Sequence, residues 1–180
     1  ALRLSHDAVM VGSGTALADD PDLTVRDMGA PRQPVRILLD RMLKHSPASR
    51  LGHTARDNPV WLLHGPTAPD PARKAWETTG ATLIEIPETQ GHLDLTAALQ
   101  TLAAKGLTRI LSEGGSTVAA ALVKARLVDD LALFSGGLLL GAEGHPALGP
   151  LALTALADAP RPRLRESQAL GPDSYSLWSL

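Results

Sequence analysis

Two glycine-bearing turns hold most of the residues able to do chemistry in this 180-residue sequence. The first is Gly12-Ser13-Gly14-Thr15, directly after an apolar run ending at Val11. It continues into Ala18-Asp19-Asp20-Pro21 and Leu23-Thr24-Val25-Arg26. Glycines let a backbone approach a ligand closely and leave amides free for an anion. A dinucleotide fingerprint needs a third glycine where Leu17 stands, so the run serves equally well as a structural turn. The adjacent carboxylates of Asp19 and Asp20 before a proline likewise suit a cap and turn. The second place is Glu113-Gly114-Gly115-Ser116-Thr117, between an apolar run and a helical pattern. There the free amides and positive dipole end of a helix meet a glycine turn, an arrangement that receives a pyrophosphate. A carboxylate sits badly beside a diphosphate, so Glu113 is expected to face a neutral or hydrogen-bond-donating group. The plain alternative is a tight strand–helix turn with Glu113 solvated.

The elements that must position these turns follow from apolar spacing. Ala8 to Val11, Val35 to Leu39, Val60 to Leu63, Thr82 to Ile86 and Arg109 to Leu111 read as buried strands. Asp70 to Thr79, Leu95 to Lys105 and Ser116 to Arg126 have helical spacing, with Ser116 and Thr117 as caps for the last. Such alternation predicts an α/β fold with a largely parallel sheet and helices on its faces. Asp130 to Ser135, Arg163 to Ala169 and Ser174 to Leu180 read as further strands, the last two joined at Gly171-Pro172-Asp173 into an antiparallel hairpin. The sheet is therefore expected to be mixed, with an antiparallel C-terminal edge. Gly65 to Pro71, Gly141 to Pro150 and Ala155 to Pro162 read as loops and a connector within one domain spanning residues 1–180. In open α/β sheets ligands lie beyond the carboxyl ends of the strands, where both glycine turns fall.

Composition narrows the classes. Hydrophobic residues are 44% and aromatics 3%, so the core must be built of Leu, Val, Ile and Ala. A formal charge of -2 gives no basic excess for nucleic acid and no tail for a membrane surface. The longest greasy stretch, Leu138 to Gly141, is far too short to span a bilayer. Without cysteine there is no disulfide or thiol nucleophile, which permits a reducing cytoplasm, the expected location. His6, His45, His53, His64, His92 and His145 are scattered without ligand spacing, so no metal site is expected.

Taken together, VGSGTALADDPDLTVR (Val11 to Arg26), PVRILLD (Pro34 to Asp40), GHLDL (Gly91 to Leu95) and SEGGSTVAAALVKARLVDDL (Ser112 to Leu131) closely resemble the reductase half of the bifunctional riboflavin-biosynthesis deaminase/reductase. The resemblance covers most of residues 3 to 145 and is looser in the tail. It implies a dihydrofolate-reductase-like, three-layer fold. It also implies NADPH-dependent reduction of the ribosyl group of 5-amino-6-(5-phosphoribosylamino)uracil to the ribityl chain. By resemblance, Thr15, Asp19 and the loop Gly115, Ser116, Thr117, Val118, Ala119, Ala120 and Ala121 would touch the cofactor. Arg3, Leu23, Arg26 and Glu113 would contact the substrate. Arginine suits a phosphorylated sugar because its planar fork matches phosphate oxygens. Hydride transfer belongs to the nicotinamide, and Asp19, or equally a water, lies near the proton path.

This sequence departs from the family in two places. Arg41 follows the strand Val35 to Asp40 where relatives often carry a small hydroxyl residue; its guanidinium is expected to clamp the NADPH 2′-phosphate, supported by Lys44. At the front, the family's opening strand with its Ser-Leu-Asp-Gly motif and the loop and helix after it are not found, nor is the zinc deaminase domain, which is expected to be fused upstream. The expectation is an incomplete reductase domain with an unpaired strand edge and little activity of its own. A homodimer is expected by analogy with relatives. Two rivals remain. One is a Rossmann dehydrogenase of the short-chain class, which would need Tyr-x-x-x-Lys where Tyr175 is followed by Ser179. The other is a catalytically silent or differently specific NADPH- or phosphosugar-binding module.

Overall fold

The computed structural model describes residues 1–30 and 32–180, with Ala142 described by its backbone alone. Five short runs with apolar residues on both faces form one parallel sheet: β1 (Ala8–Gly12), β2 (Val35–Leu39), β3 (Val60–His64), β4 (Thr82–Glu85) and β7 (Ile110–Ser112). Their order is β4-β3-β2-β1-β7, so β2 is central and β1 lies between β2 and β7, both parallel to it. Alternate residues divide between two cores. Val9, Val11, Leu38 and Leu62 face one side with Ala16, Leu51 and Trp76. Ala8, Met10, Ile37 and Leu63 face the other with Ala98, Leu102 and Leu122. Burial on both faces explains why these strands read as continuous apolar runs.

The helices cover those faces. On the first lie α1 (Ser13–Asp19), α2 (Arg50–His53) and α3 (Asp70–Thr79); on the second lie α4 (Leu95–Ala104) and α5 (Ser116–Lys124). The bounds of α3 are set locally, by Pro71 in its first turn and Gly80 at φ +91° just past its end. Asp94 caps α4 by accepting from the Ala97 amide at 3.0 Å. The capping expected of Ser116 and Thr117 is not realised. They are the first residues of α5 itself, Gly115 is the cap, and no side chain closes that end. The sequence pattern also left out α1 and α2, which are seven and four residues long and too short to display a period. The two-residue strands β5 (Glu88–Thr89) and β6 (His92–Leu93) form a small hairpin, likewise unexpected.

The C-terminal hairpin is antiparallel as expected, β9 (Arg163–Leu170) with β10 (Asp173–Ser179), turning at Gly171 with φ +66°. Its third partner is β8 (Asp130–Ser135), giving the order β8-β10-β9. Among the described residues no strand pairs with the outer edge of β7 or of β8. The opposite end of the main sheet is tied by two side chains. Asp7 accepts from the Thr108 amide and hydroxyl and the Arg109 amide at 2.9, 3.0 and 2.9 Å, which holds its pKa below the ordinary carboxylate value. Arg36, fully buried within β2, donates to the carbonyls of Asp22, Thr54 and Asn58 and to the Thr54 hydroxyl. Buried charge is costly unless hydrogen-bonded in this way, and burial still lowers the Arg36 pKa.

Candidate functional site

Parallel strands with right-handed crossovers bring their carboxyl ends into one row. Along that row stand Glu113 and Gly114 after β7, Gly12 at the end of β1, Arg41 after β2, Gly65 after β3 and Glu88 after β4. The two glycine turns meet there. The Gly115 amide donates to Thr15 Oγ1 at 2.8 Å, stitching the start of α5 to α1. A Cβ on Gly114 would lie 2.8 Å from the Gly12 nitrogen, and one on Gly12 would lie 2.7 Å from Val118 Cγ2. These glycines therefore let the turns close on one another, whereas Gly14 has open space around it and sits within α1. With the Gly115 amide taken, the amides of Ser116, Thr117 and Val118 have no acceptor among the described residues. That helix end, uncapped by any side chain, can receive an anion. Of the remaining expected cofactor residues, Val118 packs into the second core and Ala120 is buried, with Ala119 and Ala121 half-buried on the helix body.

Beside this turn, Arg3 and Glu113 form a bidentate pair. Arg3 Nε donates to Glu113 Oε1 at 2.8 Å and Nη2 to Oε2 at 2.6 Å, while Nη1 donates to the Thr24 carbonyl at 2.8 Å. The pairing raises the Arg3 pKa further. Both line a cleft of about 320 Å³ together with Thr24, Arg26, Met28 and Phe134. Arg26 is exposed, and among the described residues no carboxylate pairs with it. Three of the four expected substrate residues thus share one cleft. Leu23 departs from the expectation: its side chain is 2% exposed and packs in the first core, reached through a left-handed φ of +57°. Glu113 faces a hydrogen-bond donor, as expected of it, but in this structure the donor is the Arg3 guanidinium.

Asp19 is exposed at the end of α1, with no hydrogen-bond partner among the described residues. Asp20 is the anchored one of the pair, at φ +40°, accepting from the Arg50 amide at 3.0 Å and lying 4.0 Å from His45 Nε2. His45 itself is a residue the sequence did not distinguish. It is 4% exposed, stacks on Trp76 with ring centroids 6.2 Å apart, and neither ring nitrogen has a partner. Burial lowers its pKa, opposed by the charges of Asp20 and Asp40.

Arg41 projects from the end of β2 and is engaged with Glu88, Nη1 to Oε2 at 3.1 Å; Lys44 is exposed. The start of α5 and Arg41 lie across two strand spacings, about 10 Å. Free helix amides, glycine turns in backbone contact and a cation along the same edge fit the phosphates of a dinucleotide. Among the described residues no group of three or more His, Asp or Glu could hold a metal ion, and no helix is long and apolar enough to cross a membrane.

The family described as RibD C-terminal domain matches residues 1–175. The chain is 34% identical to the riboflavin biosynthesis protein RibD of Escherichia coli, over 96% of this chain and 48% of that protein. It is 30% identical to the 2,5-diamino-6-ribosylamino-4(3H)-pyrimidinone 5′-phosphate reductase of Methanothermobacter thermautotrophicus, over 96% of this chain and 79% of that protein. Among solved structures, RibD of Acinetobacter baumannii superposes with a TM-score of 0.83 at 24% identity, covering 99% of this chain and 48% of that one. The chain thus spans about half the length of the RibD proteins it matches.

Proposed function

The chain belongs to the RibD C-terminal domain family, and on that premise we propose that it is a pyrimidine reductase of riboflavin biosynthesis, reducing 5-amino-6-(5-phosphoribosylamino)uracil with NADPH. The observation that carries this reading is the Thr15–Gly115 bond. It sets an anion-receiving helix end directly beside a cleft holding Arg3, Glu113 and Arg26.

In this reading the amides of Ser116 to Val118 hold the cofactor's pyrophosphate, and Thr15 keeps that helix end in place. Arg26, without a carboxylate partner, takes the substrate's phosphate. Arg3 orients Glu113, whose oxygens retain lone pairs for the ribose hydroxyls or the pyrimidine amino groups. NADPH, when bound, supplies the hydride. Asp19 has no contact with the cleft, so the proton is assigned to water rather than to its carboxylate. Glycine at 12 and 114 excludes side chains from the junction and keeps the two turns in register.

Two further parts of the proposal are a deaminase domain in the same protein, in keeping with the 48% of the Escherichia coli RibD length that this chain spans, and a cytoplasmic location. The consecutive Leu138, Leu139 and Leu140, exposed at 71%, 99% and 62%, support association of two copies. A second substrate reading is favoured by the archaeal relative, whose name specifies the 2,5-diaminopyrimidinone. The test is NADPH oxidation by the full-length gene product with each phosphoribosyl pyrimidine. Turnover of the uracil supports the proposal, turnover of the diaminopyrimidinone alone replaces its substrate, and NADPH binding without turnover of either identifies a silent module.

A further inference from the structure

We propose that Glu88 acts with Arg41 as the residue pair that sets coenzyme choice. Arg41 would take a 2′-phosphate and Glu88 would accept from a ribose 2′-hydroxyl, so that the chain binds phosphorylated and unphosphorylated nicotinamide dinucleotides with only a modest preference. This rests on the reading of Arg41 as the residue beside the adenosine ribose. Nucleotide-binding α/β folds use a carboxylate for the 2′-hydroxyl or an arginine for the 2′-phosphate. Here one of each stands at the ligand end of the sheet in direct contact, Arg41 Nη1 to Glu88 Oε2 at 3.1 Å.

The pair is built in rather than incidental. Glu88 is only 18% exposed, lies in β5, which pairs with β6, and its other oxygen accepts from Thr67 Oγ1 at 3.2 Å. Gly65, in the turn after β3, leaves room for the pair: a Cβ there would meet the Glu88 carboxylate and lie 3.2 Å from Arg41 Cγ. Arg41, 42% exposed, has Nε and Nη2 without an acceptor among the described residues, so it can receive a phosphate without first leaving Glu88. A dianion bound there sits close to the Glu88 charge. Like charges a few ångströms apart repel even through water, which erodes the advantage of the phosphate. With the hydroxyl coenzyme the same carboxylate becomes an acceptor. Glu88 thus pulls the preference toward the unphosphorylated form, and Arg41 pulls it the other way.

Calorimetric titration of the 180-residue chain with adenosine 2′,5′-bisphosphate and with 5′-AMP reads the preference without requiring turnover. The variants are Glu88→Gln, which keeps an acceptor for Thr67, and Arg41→Ala. The wild type is expected to favour the bisphosphate by less than about tenfold, and Glu88→Gln to raise that preference by roughly three- to tenfold, as removal of one nearby charge implies. Arg41→Ala is expected to weaken the bisphosphate by about tenfold while leaving 5′-AMP unchanged. If Arg41→Ala shifts the preference and Glu88→Gln does not, Glu88 has no part in selection and the inference fails alone. If Arg41→Ala shifts nothing, or neither nucleotide binds the wild type, the underlying reading of Arg41 fails with it.

Discussion

Two substitutions of the same kind, Gly114→Ala and Gly14→Ala, are expected to act in opposite directions. Gly114 is buried where β7 turns into α5, and a Cβ there would meet the Gly12 nitrogen at 2.8 Å, Val11 Cα at 2.9 Å and the Val11 carbonyl carbon at 3.2 Å. Carbon contacts prefer about 3.5–4.0 Å, so the two turns must separate by roughly 0.6 Å or more. All three obstructing atoms are backbone and cannot rotate away. Overpacking of this kind costs about 1–3 kcal/mol. Displacing Gly115 from Thr15 Oγ1 costs about 1 kcal/mol more. The sum, about 2–4 kcal/mol, corresponds to a fall in Tm of roughly 5–15 °C for a chain of this size. Gly14 has nothing within 4 Å and lies in α1, so alanine there should stabilise by up to about 0.5–1 kcal/mol through helix propensity. Urea unfolding of both variants, read beside dinucleotide affinity, checks the pair. A Gly114→Ala protein within 0.5 kcal/mol of wild type, or a Gly14→Ala protein destabilised by more than 1 kcal/mol, would refute the reasoning (figures on the order of the uncertainty in such extrapolations).

Arg3→Met removes two bonds to Glu113 and one to Thr24. Because the pair is partly exposed, unfolding should lose only about 1 kcal/mol, while substrate KM rises by roughly tenfold or more; an unchanged KM would separate the pair from the substrate cleft. His45 titrates below its ordinary 6.5 in the folded state. The unfolded chain therefore binds the extra proton first, and stability should be full above pH 6.5 and decline as pH falls toward the lower folded value. Urea midpoints between pH 5 and 7 (roughly the range in which His titrates) should show that decline flattened in His45→Phe. Trp76, fully buried and donating to the His45 carbonyl at 3.1 Å, should cost about 3–5 kcal/mol when replaced by alanine, measured by the same unfolding assay.

Much of this fold is legible from residue spacing alone. Strands buried on both faces must be continuous apolar runs, and Val35–Leu39, buried throughout, has the expected bounds; the largely exposed Asp130–Ser135 has its expected bounds as well. Pro71 and Gly80 delimit α3, and Gly171 places the C-terminal turn. These are local determinants, since a period or a required φ is a property of neighbouring residues. The same locality marks both glycine turns as chemical candidates and supports the family resemblance.

What the spacing could not supply is who meets whom. Thr15 bonds an amide 100 residues away, Arg3 pairs with a carboxylate 110 residues away, and Arg41 finds Glu88 47 residues on. Each pairing depends on the order β4-β3-β2-β1-β7, which sets the β7 turn beside the β1 turn and brings the turns after β2, β3 and β4 together. Leu23 turns inward because a left-handed residue reverses the chain there, and His45 is buried because the loop after β2 folds onto Trp76. Periodicity tells a residue which face of its own element it occupies. Strand order and crossover decide what stands opposite that face, and here they turned two glycine motifs and scattered charges into one ligand edge.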